Sequence, residues 1–157
     1  MVDPTVQAKL TSLVGAHVTQ ATVSGNTLLL WVGAPPKKAD AKCLWVNPPW
    51  RVETETGFLV GSADIPWTAD DFKSADAFRS EFERVCNLAC AVQSSIIERA
   101  TALFLSTDLS ITFSNGSTLR SFECESGTDE SWHLSDYSTM QLFRVAPCGV
   151  MVEPLAP

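Results

Sequence analysis

The chain has 157 residues, 45% of them hydrophobic and 18% charged, with a net charge of −7. That length supports one domain, residues 1–157, with a sizeable core, and the acid excess argues against direct nucleic-acid binding, which needs clustered Lys and Arg to neutralise phosphates. The longest apolar runs, such as residues 28–33, fall far short of the roughly 20 residues of a membrane span, and the first residues, MVDPTVQAKL, lack the basic start and apolar core of a secretion signal. Five cysteines, Cys43, Cys86, Cys90, Cys124 and Cys148, form an odd and widely spaced set, so reduced thiols in the cytosol are the expectation.

In chain order, residues 5–16 predict a short helix, because Val6, Leu10 and Leu13 fall on one face and Gly15 follows as a stop. Residues 18–23 and 27–32 are β-prone runs around Ser24-Gly25-Asn26, a hairpin signal. Residues 34–42 form a polar loop, and CLWVN reads as a strand that Pro48 and Pro49 must end, since neither can donate to a ladder. WRVET and FLVGS are two further short strands around a turn.

The clearest helix spans about residues 75–88 and packs on the sheet. Phe78, Phe82, Val85 and Ala89 share one helical stripe, with two candidate starts, Thr68-Ala-Asp-Asp71 and Ser74. The rest is strand-rich. Leu109, Ile111 and Phe113 alternate with polar residues, and SNGS is a hairpin turn. A three-residue turn with Gly116 in the left-handed region pairs Ile111 with Leu119, whereas a two-residue turn pairs it with Arg120; the first keeps Arg120 on the polar face and is preferred. MQLFRVA and GVMVEP predict closing strands.

The predicted class is therefore α+β, mainly β, with antiparallel strands in two similar units, residues 10–65 and 86–153. The repeat rests on order and spacing: Leu28 and Leu109 are 81 residues apart, and Trp50 and Trp132 are 82 apart, each followed by a basic or imidazole residue and an aliphatic.

The segment STDLSITFSNGSTLRSFECESGTDESWHL, with WVNPPWRV before it, resembles a pattern of small bacterial β-rich proteins, some of them immunity proteins of toxin systems. The resemblance covers about a third of the chain and implies a fold relation; it carries over no catalytic residue.

Reactive groups are sparse. His17 and His133 are the two histidines, no Gly-x-Ser-x-Gly elbow or phosphate loop occurs, and Cys86 and Cys90 read as core-packing thiols rather than half of a metal site. No catalytic residue, metal or cofactor is expected, and nothing indicates an oligomeric state. Glu123, Glu125, Asp129, Glu130 and Asp136 lie between Phe122 and Asp136 with no Lys or Arg, so this stretch carries five of the seven net negative charges. The leading expectation is an immunity-type protein that binds a basic partner through Glu123, Glu125, Asp129 and Glu130, where complementary charge speeds association. The alternative is a small-molecule-binding β domain with Trp50, Arg51, Trp132 and His133 at a mouth between the units; an enzyme, which would need His17 or His133 in a pocket beside a carboxylate or thiol, ranks third.

Overall fold

The protein is described from a computed structural model over residues 2–103, 107–122 and 129–156. It is mainly β, with two antiparallel sheets and one main helix. The first half runs α1 (Pro4–Thr11), β1 (Val18–Ser24), β2 (Thr27–Val32), β3 (Lys42–Val46), β4 (Trp50–Thr54) and β5 (Gly57–Gly61). The second half runs α2 (Ala75–Ala89), β6 (Ile97–Leu103), β7 (Asp108–Phe113), β8 (Thr118–Ser121), β9 (Trp132–Asp136), β10 (Gln141–Ala146) and β11 (Gly149–Pro154).

Strands are exchanged between the halves. Sheet I has the order β1-β2-β3-β9-β10-β11, and sheet II has β5-β4-β8-β7-β6. Each half keeps its first three strands together and lends the rest to the other half's sheet: β4 and β5 pass to sheet II, and β9, β10 and β11 pass to sheet I. The crossing from β3 to β4 takes only Asn47 and the cis-linked Pro48-Pro49, and the prolines cannot extend the β3 ladder. The inward faces of both sheets supply one buried apolar cluster, which includes Leu28, Leu30, Leu44, Ile111, Leu119 and Leu134.

The halves meet through reciprocal main-chain hydrogen bonds. Gly15 N donates to Ile97 O at 2.8 Å and Ser94 N donates to Val18 O at 2.8 Å. Val18 N donates to Ser95 O at 2.9 Å and Ile97 N donates to Ala16 O at 3.0 Å, on either side of a bridge between His17 and Ile96. Adding 79 to one set of residue numbers gives the other. Gly15 and Ser94 both take positive φ, +86° and +69°. The β1–β2 ladder is irregular between Val18 and Gln20, and the β6–β7 ladder between Ile97 and Arg99, again 79 apart. Val6, Leu10 and Leu13 have buried counterparts in Val85, Ala89 and Val92.

By the same offset of 79, α1 aligns with the second half of α2. The first half of α2 is then an addition without a counterpart in α1.

Local sequence explains the helix ends. Asp3 caps α1 by accepting from Thr5 N at 2.7 Å, with Pro4 in the first turn. The helix ends at Thr11, short of the predicted 16, because the chain from Leu13 to Ala16 turns to reach Ile97. Ser74 caps α2 by accepting from Ala77 N at 3.1 Å, so the later of the two candidate starts is used. Thr68 instead caps a separate 3₁₀ turn, Ala69–Asp71. In the second hairpin Ile111 faces Leu119, as the three-residue turn requires, with Gly116 at φ +81°.

A buried ion pair ties α1 to sheet I. Asp136 is almost wholly buried, 3.3 Å from Lys9 Nζ, and accepts from Ser138 N at 3.1 Å. Lys9 Nζ also lies 4.4 Å from the centre of the Phe143 ring. Burial raises the Asp136 pKa, but hydrogen bonds from Ser138 and Lys9 and the charge of Lys42 outweigh it, leaving the carboxyl below its ordinary value.

Two predictions follow from this architecture. A chain cut between β5 and α2 will hold together as two associated fragments, and neither fragment alone will unfold cooperatively; a fragment with its own cooperative transition would contradict the exchange. Asp136→Ala will cost about 2–3 kcal/mol at pH 7 in urea unfolding. Because the folded-state pKa is depressed, that contribution is present at neutral pH and shrinks as pH falls below about 4. A pH-independent difference would rule out the charge as its source.

Candidate functional site

Trp50 and Trp132 occupy matching places in the two sheets: Trp50 opposes Ser121 of β8, and Trp132 opposes Val46 of β3. Each is 1% exposed. The Trp50 indole donates to Asn26 O at 2.6 Å, fixing β4 to the first hairpin turn. Both indoles are core residues, so they do not form the mouth of a ligand pocket.

The residues that follow them point outward, on different sheets. Arg51 lies directly across from Arg120 on sheet II, with Glu53 bridging the pair. Glu53 accepts from Arg51 Nε at 2.5 Å and from Arg120 Nε at 2.8 Å. The hydrogen bond from Arg120 leads the effects that hold its carboxyl below the ordinary glutamate value. The Arg51 guanidinium also lies 5.4 Å from the centre of the Phe122 ring. A cleft of about 260 Å³ adjoins these side chains, lined by Arg51, Arg120, Asp108 and Phe122 among others.

On sheet I, His133 stacks on Trp45, with ring centres 5.1 Å apart, and its Nδ1 pairs with Glu130. Arg144 Nη1 lies 3.7 Å from Glu130, and Asn47 Nδ2 donates to Glu130 O at 2.8 Å. Burial pushes the Glu130 carboxyl up, but bonds from His133 and Asn47 and the charge of Arg144 bring it below its usual value. Glu130 is thus engaged inside the protein, while Asp129 is exposed. Glu123, Glu125 and Cys124 lie outside the described residues. Arg51 and His133 therefore occupy the outer faces of separate sheets and do not converge.

The larger opening lies elsewhere. A cleft of about 540 Å³ runs between the segment after β5 and the start of α2. It is lined by Pro66, Trp67, Phe72, Asp64, Asp71 and Glu81, with Ala77 and smaller contributions from neighbours.

The sequence builds it stepwise. At Gly61 a Cβ would come within 3.1 Å of Trp50 O and 3.2 Å of the Phe58 ring, so glycine allows that ring to lie across the strand. Asp64 turns the chain by accepting from Gly61 N at 2.7 Å, and Ile65 anchors it in the core. The 3₁₀ turn then presents Phe72, which packs edge-on against Phe78 of α2 with ring centres 5.5 Å apart. Phe78 meets Phe82 at 6.3 Å.

Trp67 is 68% exposed and Phe58 61%, the largest values among the exposed large apolar side chains. The buried residues of α2 are Val85 and Ala89; Phe82 packs partly buried against the core, and Phe78 continues the apolar stripe beyond it, partly exposed. Sequence periodicity placed these rings on one helix face without showing that both remain partly exposed. Sequence reasoning missed this cleft; the signal that could have found it is Trp67 among carboxylates, followed by a turn and a capped helix.

Burial pushes the Cys43 thiol up to about 12, against a smaller opposing hydrogen bond with Trp45, and also raises Cys86 and Cys90. These thiols remain protonated at neutral pH and are poor nucleophiles. Among the described residues, no three His, Cys, Asp or Glu side chains are grouped to hold a metal ion, and no helix is long and apolar enough to cross a membrane.

Comparison with protein-family models, curated proteins and solved structures finds no match to this chain.

Glu53→Ala will leave Arg51 and Arg120 facing each other across the β4–β8 ladder. A loss of about 0.5–1 kcal/mol is expected in urea unfolding at low salt, becoming smaller in high salt. Unchanged stability at low salt would show that Glu53 does not offset the two arginines.

Proposed function

We propose that this chain is a protein-binding module that captures and neutralises a partner with a basic surface, as an immunity protein does, and that it acts in the cytosol. The observation that carries the reading is the exposure of Trp67, at 68%, in one cleft with Phe72, which packs on Phe78, on a surface rich in carboxylates. Large aromatic side chains supply much of the binding energy at protein interfaces because they bury wide apolar area with little loss of freedom. The net charge of −7 supports attraction of a cationic partner, which raises the encounter rate more than the final affinity.

The small-molecule reading has less support in its original form, because the two indoles assigned to its pocket are buried. Its remaining support is the volume of the Trp67 cleft, about 540 Å³, which falls in the range of small-ligand sites.

The test is affinity capture from host lysate with the intact protein and with Trp67→Ala, an exposed position whose loss leaves the core unchanged. The intact protein is expected to retain a basic protein at low salt, with release at high salt and retention reduced about tenfold or more in the variant. Equal retention by both forms, or no retained protein, would overturn the proposal.

A further inference from the structure

We infer that the Trp67 cleft receives a lysine or arginine side chain of the partner, with its alkyl stem on the aromatic wall and its cation toward the carboxylates. This deepens the protein-binding reading above and rests on it.

The lining combines two chemistries. Trp67 and Phe72 offer aromatic surface, while Asp64, Asp71 and Glu81 carry negative charge, and among the described residues no cationic side chain lines the cleft. A long basic side chain has the same division: an apolar stem and a charged head that seeks carboxylate oxygens or an aromatic face. An anion would meet the Asp71 carboxylate there, with Glu81 and Asp64 only in part offset by Arg84. A wholly apolar ligand would place those carboxylates against a surface that cannot replace their hydration.

The two arginines of α2 are paired within the helix. Arg84 binds Glu81 through two hydrogen bonds, Nε at 2.8 Å and Nη2 at 2.6 Å. Arg79 lies 3.8 Å from Asp76, outside the cleft lining. Asp64 uses one oxygen, Oδ2, to accept from Gly61 N. Asp71 forms no ion pair among the described residues and stands at the end of the 3₁₀ turn, beside Phe72. Asp71 is therefore the available charge partner, and Glu81 adds to the field while remaining bound to Arg84.

The backbone supports a preformed receptor. Ile65 is 2% exposed and roots one wall, Thr68 caps the turn, and the Phe72–Phe78 contact holds that turn against α2. The cleft beside Arg51 and Arg120 has a different character, since cationic side chains line it. Its two arginines share Glu53, so the two openings are not interchangeable sites for the same ligand.

The test uses the full chain labelled with ¹⁵N and three amino-acid amides as probes: N-acetyl-arginine amide, N-acetyl-lysine amide and the uncharged N-acetyl-norleucine amide. The Trp67 indole N–H signal, assigned by Trp67→Phe, is expected to shift saturably with both cationic probes in the millimolar range and little with norleucine. Asp71→Asn should weaken binding by about threefold or more, whereas Asp76→Asn should leave it unchanged. The remaining amide signals report whether each variant keeps its fold. No saturable shift with the cations, an equal response to norleucine, or equal loss in both aspartate variants would overturn the inference. Capture of a basic partner through Trp67 without cation selectivity would refute this inference alone; cation binding without any captured partner would refute the protein-binding reading.

Discussion

The reciprocal hydrogen bonds around His17 and Ile96 organise the molecule. Gly15 bonds to Ile97, Ser94 bonds to Val18, and both connections use a residue at positive φ just before a strand. This contact places β1 and β6 in corresponding surroundings and lets α1 and the end of α2 cover related parts of the core. From there each half can lend its later strands to the other's sheet. Pairing across the halves then satisfies backbone groups that would otherwise form open edges at β3 and β8.

The interior preserves this correspondence while the exterior departs from it. Trp50 and Trp132 fill equivalent core positions, but the outward neighbours are Arg51 on one sheet and His133 on the other. Arg51 joins a network with Glu53 and Arg120; His133 joins one with Trp45, Glu130 and Arg144. Packing constrains the buried side of each strand closely, because a change in volume affects several neighbours. The outer side has no such constraint, and its chemistry can differ without moving the strands.

The region around α2 departs most from the pattern. Its second half supplies Val85 and Ala89 to the core, with Phe82 packed at the core's margin, while its first half carries Phe78 against Phe72 of the Trp67 segment. The cleft is built from this added turn and half-helix, outside the elements that the two halves share. A binding surface placed there can vary with little effect on strand exchange.

The sequence by itself determined much of the local structure. Alternation at Leu109, Ile111 and Phe113 marked a strand, SNGS set the turn that pairs Ile111 with Leu119, and Ser74 with the aromatic stripe marked α2. These are short-range effects, fixed by side-chain period, turn conformation and capping. Only the tertiary structure decided which sheet each strand joins, because β4–β8 and β3–β9 pairing links residues far apart in the chain. It also decided the roles of the tryptophans. Each of Trp50, Trp67 and Trp132 lies near a strand end beside proline or acid, yet two are buried and one is exposed. Burial depends on what packs against a residue, and that partner comes from elsewhere in the fold.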